Sequence, residues 1–409
     1  MSNIPDNFCS APWSAVYVDP VGYVGPCCIY RMDDETAYGN LNNDSMSNIV
    51  NSDNARKLKL QLINNERPVG CNNCWESDDK NLTSFRHSWN ERDNKQIEDF
   101  LNYTSNTGDY NYSNINYWDI RPSNLCNLGC IMCTPTLSSG VWQLYSDLGM
   151  LAKDNVKKFK KMSEDDINLT LQYIKEKVSE NHSNGINDHF YFAGGEPLIM
   201  PEHKKIIDML EQENFYHVSL RYNTNLTSVV FKDINWLDKW KKFQNEIIID
   251  ASIDSTGDTA GIQRFGTDWN VIKNNLKLIA ASDNIKITFN IVVSILTYPV
   301  LIDTLTELEE IFGNEYLRYC VKLTPLQYPE FLCLNSITDN HIDYSIIHKV
   351  NEMGYNVSEL GSLLRNREKF VTQHDMRSIA TARNKLFNRL YKIKNIDVRN
   401  ILPWFVLDE

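Results

Sequence analysis

The chain has 409 residues, 42% of them hydrophobic and 11% aromatic, enough to bury a sizeable core divided among two or three domains. Its net charge of −12 and pI near 5.2 argue against broad binding to nucleic acid phosphates or to an anionic membrane surface, although a local basic groove stays compatible with them. The opening MSNIPDNFCSAPW has no basic stretch followed by an apolar one, and no segment reaches the roughly 18 consecutive apolar residues that span a bilayer, so a cytoplasmic protein acting on small molecules or peptides is expected.

Ten cysteines in a compartment that keeps thiols reduced are read as metal ligands or buried thiols rather than as disulfides. Five come early. Cys9, twelve residues, Gly22, four residues and Cys27 open the chain, Cys28 follows directly, and PVGCNNCWE adds Cys71 and Cys74. Four of these thiols can hold zinc or an iron–sulfur cluster, and spacing alone does not choose between them. Cys28 either replaces Cys27 as a ligand or is a buried free thiol. Residues 88–114 are polar, with room for one short helix, and read as a linker after a first domain at 1–87.

A run of strands and helices follows. INYWDI (115–120) predicts the first strand, and directly after it SNLCNLGCIMCTP places Cys126, Cys130 and Cys133 in a C-x3-C-x2-C loop. No His or fourth Cys follows within the next dozen residues to complete a zinc tetrahedron, so three thiolates on one loop suit a cubane iron–sulfur cluster with one iron left open. Further strands are expected at 189–194, 218–223, 246–253, 285–293 and 317–323, with helical periodicity between them. Such alternation predicts parallel βα units, with the site at the C-terminal strand ends.

The second strand ends in FAGGEP, where Gly194 and Gly195 permit close backbone approach and can offer carbonyls to a cationic amine. A tight turn entering a helix at Pro197 explains the same residues. NTNL (223–226) closes the third strand, and Asn225 there suits an active-site contact or an Asx turn. Beyond about 335 the periodicity is helical, giving an extension at 336–409 that caps the strands, lines a substrate pocket or packs outside. Cys320, inside the last predicted strand, and Cys333, just beyond it, are expected as buried free thiols, with radical quenching as the other role.

The C-x3-C-x2-C loop, followed some sixty residues later by GGEP, resembles the signature of the radical SAM superfamily. The resemblance implies a six-unit (β/α) partial TIM barrel at 115–335 and a 4Fe–4S cluster on Cys126, Cys130 and Cys133. It further implies that S-adenosylmethionine (SAM) chelates the open iron and is cleaved to methionine and a 5′-deoxyadenosyl radical, which takes a hydrogen atom from the substrate. Met132 stands where many members have an aromatic residue and can pack over the adenine as a polarizable apolar group. GGEP resembles the segment that meets the amino group of SAM, with Glu196 nearby. Asn225 falls in a T-N-G-like segment in which Leu226 replaces the glycine, and ASIDSTGD resembles an S-x-D segment that turns Ser252 and Asp254 towards the cofactor. Arg264, in IQRFG, falls where relatives place a basic residue against the methionine carboxylate, a pairing that guanidinium geometry favours. Asp119 and Arg121, at the end of the first strand, are further candidates.

The early C-x12-G-x4-C element resembles the opening of the SPASM domain, without that domain's later cysteines. The resemblance therefore implies a half-SPASM, or Twitch, domain that precedes the barrel and holds a second 4Fe–4S cluster on Cys9, Cys27, Cys71 and Cys74. Four thiolates saturate a cubane, so its role would be electron transfer. By the same likeness the substrate is a peptide or protein side chain and the electron donor a flavodoxin or ferredoxin. A small-molecule substrate such as a nucleotide or sugar, and a noncatalytic metal-binding protein, are the alternatives.

Overall fold

Short runs of β-branched and aromatic residues set the strands, and each of the later ones is followed by an amphipathic helix. The computed structural model describes residues 4–110, 115–151 and 163–407. It falls into two units, one of residues 1–124, 158–222 and 241–247, the other of residues 125–157, 223–240 and 248–409.

In the first unit, Ala15–Val18 is buried along its whole length and pairs in parallel with Tyr117–Ile120, Ala15 opposite Tyr117 and Val18 opposite Ile120. Tyr23–Gly25 and Gly39–Asn40 extend this sheet antiparallel beyond Ala15–Val18. On its other side His189–Phe192 and then the strand starting at Ser219 continue it in parallel. Phe190 and Phe192 alternate inward, the period of two that a strand requires. The helix Glu164–Ser183 begins at a capping box of Ser163 and Asp166, and the next, Pro201–Gln212, has proline in its first turn, where a missing N–H costs nothing.

Residues 88–103, expected within a linker, are instead largely helical. Phe85–Arg92 and Ile97–Tyr103 bury Trp89, Ile97 and Phe100, and Phe100 stacks on Trp13 at 5.9 Å. Their surface is polar, but an aromatic on each helix has enough area to anchor it. Residues 111–114, the end of that expected linker, lie outside the described residues.

The second unit takes the strand Ile247–Ala251 from residue 248 on, then Ile285–Val293 and Val321–Pro325, in that order in the sheet. The last two are parallel, with Val293 opposite Pro325. Ile287, Phe289, Ile291 and Val293 point to the core, and Trp269–Ala280 starts at Asp268, whose carboxylate accepts the N–H groups of Asn270 and Val271. The sixth strand begins later than expected: Asn314–Cys320 is a helix, so Cys320 is helical. Gly313, at φ +79°, ends one helix and starts the next, a backbone turn that overrides the strand-like composition of LRYC. Four helices, Tyr344–Glu352, Ser358–Arg365, Arg367–Gln373 and Met376–Lys394, form the C-terminal region. Among the described residues no helix is long and apolar enough to cross a membrane.

Candidate functional site

The C-x3-C-x2-C loop is held by its own backbone. Gly129–Cys130 forms a two-residue antiparallel ladder with Arg264–Phe265, with Arg264 directly opposite Cys130. Ser139 Oγ accepts the Cys126 N–H at 3.0 Å and donates to the Cys126 carbonyl at 3.2 Å. The Ile131 N–H donates to the Gln263 carbonyl, and Tyr145 donates its hydroxyl proton to the Ile131 carbonyl, both at 3.0 Å. The helix Ser139–Asp147 comes so close at Gly140 that a Cβ there would lie 2.2 Å from the Leu128 carbonyl oxygen. Met132 is half-buried between Cys130 and Cys133.

Burial pushes the Cys130 thiol up to about 12; the neighbouring Cys126 and Cys133 raise it further, and Arg264 opposes them. Cys133 is raised by burial too. Cys130 and Cys133, withdrawn from water, resist ionisation by themselves, and a polycationic group that takes them as thiolates removes that cost. The donor set therefore fits a four-iron cluster.

Arg264 and Asp254, expected to meet the cofactor separately, form one ion pair. Arg264 Nη2 donates to Asp254 Oδ1 at 3.0 Å and Nε lies 2.8 Å from Oδ2, while Nη1 points at Cys130 Sγ, 3.8 Å away. Asp254 is 2% exposed and also accepts Gln263 Nε2 at 2.7 Å and the Val292 N–H at 3.0 Å. Ser252 is tied to the end of the third strand, its N–H donating to the Thr224 carbonyl and its hydroxyl to Asn223 Oδ1, each at 2.9 Å. Asn225 makes an Asx turn, accepting the Thr227 N–H at 2.9 Å, and donates to Asn127 Oδ1 at 3.1 Å beside the cysteine loop. Leu226 has φ +58°, the left-handed backbone that a glycine would take without strain.

In the first unit, Gly194 and Gly195 both have positive φ, +75° and +48°, and a Cβ on Gly194 would meet Arg121 Cδ at 3.0 Å. Glu196 is buried and caps the turn Pro197–Ile199 through the Leu198 N–H. Arg121 pairs with buried Asp119 at 2.8 and 2.9 Å and lies between the rings of Tyr17 and Tyr191, 5.0 and 5.8 Å from their centres.

Also in the first unit, Cys9, Cys27, Cys71 and Cys74 line one cavity together with Trp75 and Arg86. Burial raises all four thiols, and the charges of their cysteine neighbours add to this for Cys9, Cys27 and Cys71. Cys28 is absent from that cavity's lining. It faces another, walled by Tyr17, Tyr117, Asp119 and Tyr191, where burial and Asp119 raise it and Arg121 opposes them. Cys27 borders this second cavity as well, so what distinguishes the pair is that Cys28 does not reach the first. Arg86, which the sequence does not single out, is buried, pairs with Asp78 at 2.7 Å and holds the Asp6 and Phe8 carbonyls at 2.8 and 3.1 Å, fixing the segment that carries Cys9. Among the described residues no trio of His, Cys, Asp or Glu is placed to chelate a single metal ion; in a cubane each thiolate binds its own iron.

Two family models match the chain. Residues 9–75 match SPASM, an iron–sulfur cluster-binding domain, and residues 120–308 match the radical SAM superfamily. No curated protein matches. Among solved structures, anSMEcpe with bound AdoMet is 19% identical with a TM-score of 0.34, covering 51% of this chain and 49% of that one. SuiB of Streptococcus suis bound to S-adenosylmethionine is 13% identical with a TM-score of 0.36, covering 74% and 60%. TYW1 with a lysine-pyruvate adduct is 14% identical with a TM-score of 0.32, covering 57% and 70%. The match to anSMEcpe spans about half of each chain.

Proposed function

We propose that this chain, a radical SAM superfamily enzyme with an N-terminal SPASM-type iron–sulfur domain, abstracts a hydrogen atom from a peptide or protein side chain. The observation that carries the assignment of chemistry is the three-thiol loop, with Cys130 set opposite Arg264. Cys126, Cys130 and Cys133 would hold the cluster that leaves one iron open. When bound, that cluster supplies the electron for reductive cleavage of SAM.

The protein's own residues organise that site. Asp254 fixes the guanidinium of Arg264, whose Nη1 partly offsets the thiolate charge of Cys130. Asn225 and Ser252, both bound to neighbouring backbone or amide groups, are cofactor contacts in this reading, as is Met132 on the loop itself. In this reading Gly194 and Gly195 offer their carbonyls to an amino group, with Glu196 held in place as a cap. Cys9, Cys27, Cys71 and Cys74 would hold the auxiliary cluster, with four thiolates for four irons, so it relays electrons and binds no substrate atom. The reducing equivalents would come from a flavodoxin or ferredoxin.

The peptide substrate rests on the joining of the two modules in one chain, an argument from analogy. It is tested by supplying deuterated peptides to the reduced enzyme with SAM and reading deuterium in the released deoxyadenosine. Label from peptides is the expected result. Label from deuterated nucleotides or sugars, and none from peptides, would replace the substrate class.

A further inference from the structure

The helix Asp53–Ile63 turns one face inward, burying residues 55, 58, 59 and 62, the spacing of an apolar stripe. Three of them are apolar and the fourth is Lys59. It is 7% exposed, and no hydrogen bond contributes to its protonation among the described residues. Asp109, the acidic group whose charge acts on it, is already held by Arg56 Nε at 2.5 Å. Asp109 offsets the charge of Lys59 from a distance, but no acceptor among the described residues takes a hydrogen bond from its ammonium. Burial lowers it to about 8, so it stays mostly protonated at neutral pH.

Lys59 lines a cavity of about 280 Å³ with Trp13, Tyr38, Asn51, Tyr173 and Lys177. This volume is close to the lower end of the range of about 300–1,000 Å³ for small-molecule sites. The Tyr38 hydroxyl, on a residue 5% exposed, has no hydrogen-bond partner among the described residues. Asn51 is exposed at the rim, while Trp13 and Tyr38 are buried. The second cation, Lys177, is matched by Glu180 at 2.8 Å, and Arg56 by Asp53 and Asp109, which leaves Lys59 as the cation here without a hydrogen-bonded counter-ion among the described residues.

We propose that this cavity binds a carboxylate with a small flat or apolar body, the carboxylate pairing with Lys59 Nζ and the body packing against Trp13 and Tyr173. A single ammonium with open donors matches one carboxylate, whereas a phosphate would bury further anionic oxygens that no cation here meets. Aromatic walls favour a planar body over a bare ion. Tyr38 and Asn51 supply the neutral hydrogen bonds that a carboxylate oxygen accepts. None of the residues lining this cavity is a cluster cysteine, and its ligand is independent of the identity of the radical substrate.

The test is calorimetric titration of the full chain with phenylacetate and, separately, inorganic phosphate. Saturable phenylacetate binding at millimolar concentration is expected, weakened at least tenfold in Lys59→Met and unchanged in Lys57→Met, an exposed position on the same helix. Lys59→Met is expected to fold, because the change removes a buried charge that has no hydrogen-bonded partner. Should it not fold, reductive methylation of the wild-type chain reads the same contact: phenylacetate should protect Lys59, with peptide mass spectrometry as the readout. Absence of saturable binding, equal affinity in Lys59→Met, phosphate binding that displaces phenylacetate, or Lys59 methylated equally with and without phenylacetate would each overturn the proposal.

Discussion

Replacing Gly140 by alanine asks whether the cysteine loop is braced by the helix behind it. Within a helix such a change ordinarily stabilises, by up to about 1 kcal/mol, because alanine loses less backbone entropy than glycine. Here the added Cβ would lie 2.2 Å from the Leu128 carbonyl oxygen, 2.6 Å from its carbon and 3.2 Å from the Cys126 carbonyl oxygen. All three are backbone atoms and no rotamer can move them aside. The closest contact must open to at least about 3.0 Å, which lifts the helix off the loop and stretches the Ser139 hydrogen bonds to Cys126. Overpacking of this kind costs about 1–3 kcal/mol, so the sign of the effect reverses. Gly361 is the control: its Cβ would crowd the flexible end of Arg365 at 3.1 Å and meet Ile347 Cδ1 at an ordinary 3.9 Å, so Gly361→Ala should gain about 0.5–1 kcal/mol. Thermal unfolding under anaerobic conditions, with iron analysis of the reconstituted chains, separates the two. Gly140→Ala should unfold earlier and lose iron, while Gly361→Ala should unfold later and retain it. A Gly140→Ala chain as stable as the wild type, with full iron, would refute the bracing.

Three more expectations follow from buried groups. Asp254→Ala leaves the largely buried Arg264 side chain, 15% exposed, without its counter-charge and should destabilise by about 3–5 kcal/mol, read by denaturant unfolding; a change within experimental error would show that Arg264 finds another partner. Burial raises Asp188 from 3.8 to about 6, although Trp118 and Asn181 donate to it. The folded chain then binds this proton more tightly than the unfolded one, so stability falls as pH rises from about 4 to 6 and levels off above. Asp188→Asn should remove that fall and be more stable at pH 7.5 by up to about 3 kcal/mol, and a wild-type melting profile parallel to that of the variant would contradict it. Cys74→Ala should lose the auxiliary cluster and substrate turnover while deoxyadenosine release persists, whereas Cys28→Ala should keep its iron; iron lost from Cys28→Ala but not from Cys27→Ala would reverse the choice of ligand.

Chemistry that depends on closely spaced residues was legible in the sequence. The spacing of Cys126, Cys130 and Cys133 already restricts which groups can bind, and runs such as IKITFNIVV declare a strand because every second residue is apolar. What tertiary structure decides was not legible. Arg264 lies 134 positions after Cys130, and only the short antiparallel ladder sets them opposite each other. The Asp254–Arg264 pair was visible as two candidates, but nothing local shows that one satisfies the other. Cys27 and Cys28 are neighbours of the same type, so their roles separate only when the backbone brings Cys27, and not Cys28, into the cavity of Cys9, Cys71 and Cys74. The polar composition of 88–103 concealed Trp89 and Phe100, because a few large rings outweigh many exposed polar residues in deciding whether a helix packs. Lys59 was hidden for the opposite reason: a charged residue on an otherwise apolar helix face reads as a solvent-facing interruption of the stripe.

The central claim, that the three-cysteine loop is the centre of SAM cleavage, is tested by measuring deoxyadenosine and iron in one preparation. Anaerobically reconstituted wild-type chain, given SAM and dithionite, should hold about eight irons and release deoxyadenosine. Joint replacement of Cys126, Cys130 and Cys133 by alanine should leave about four irons, on the N-terminal cysteines, and no deoxyadenosine. Deoxyadenosine released by the triple variant at the wild-type rate would contradict the account.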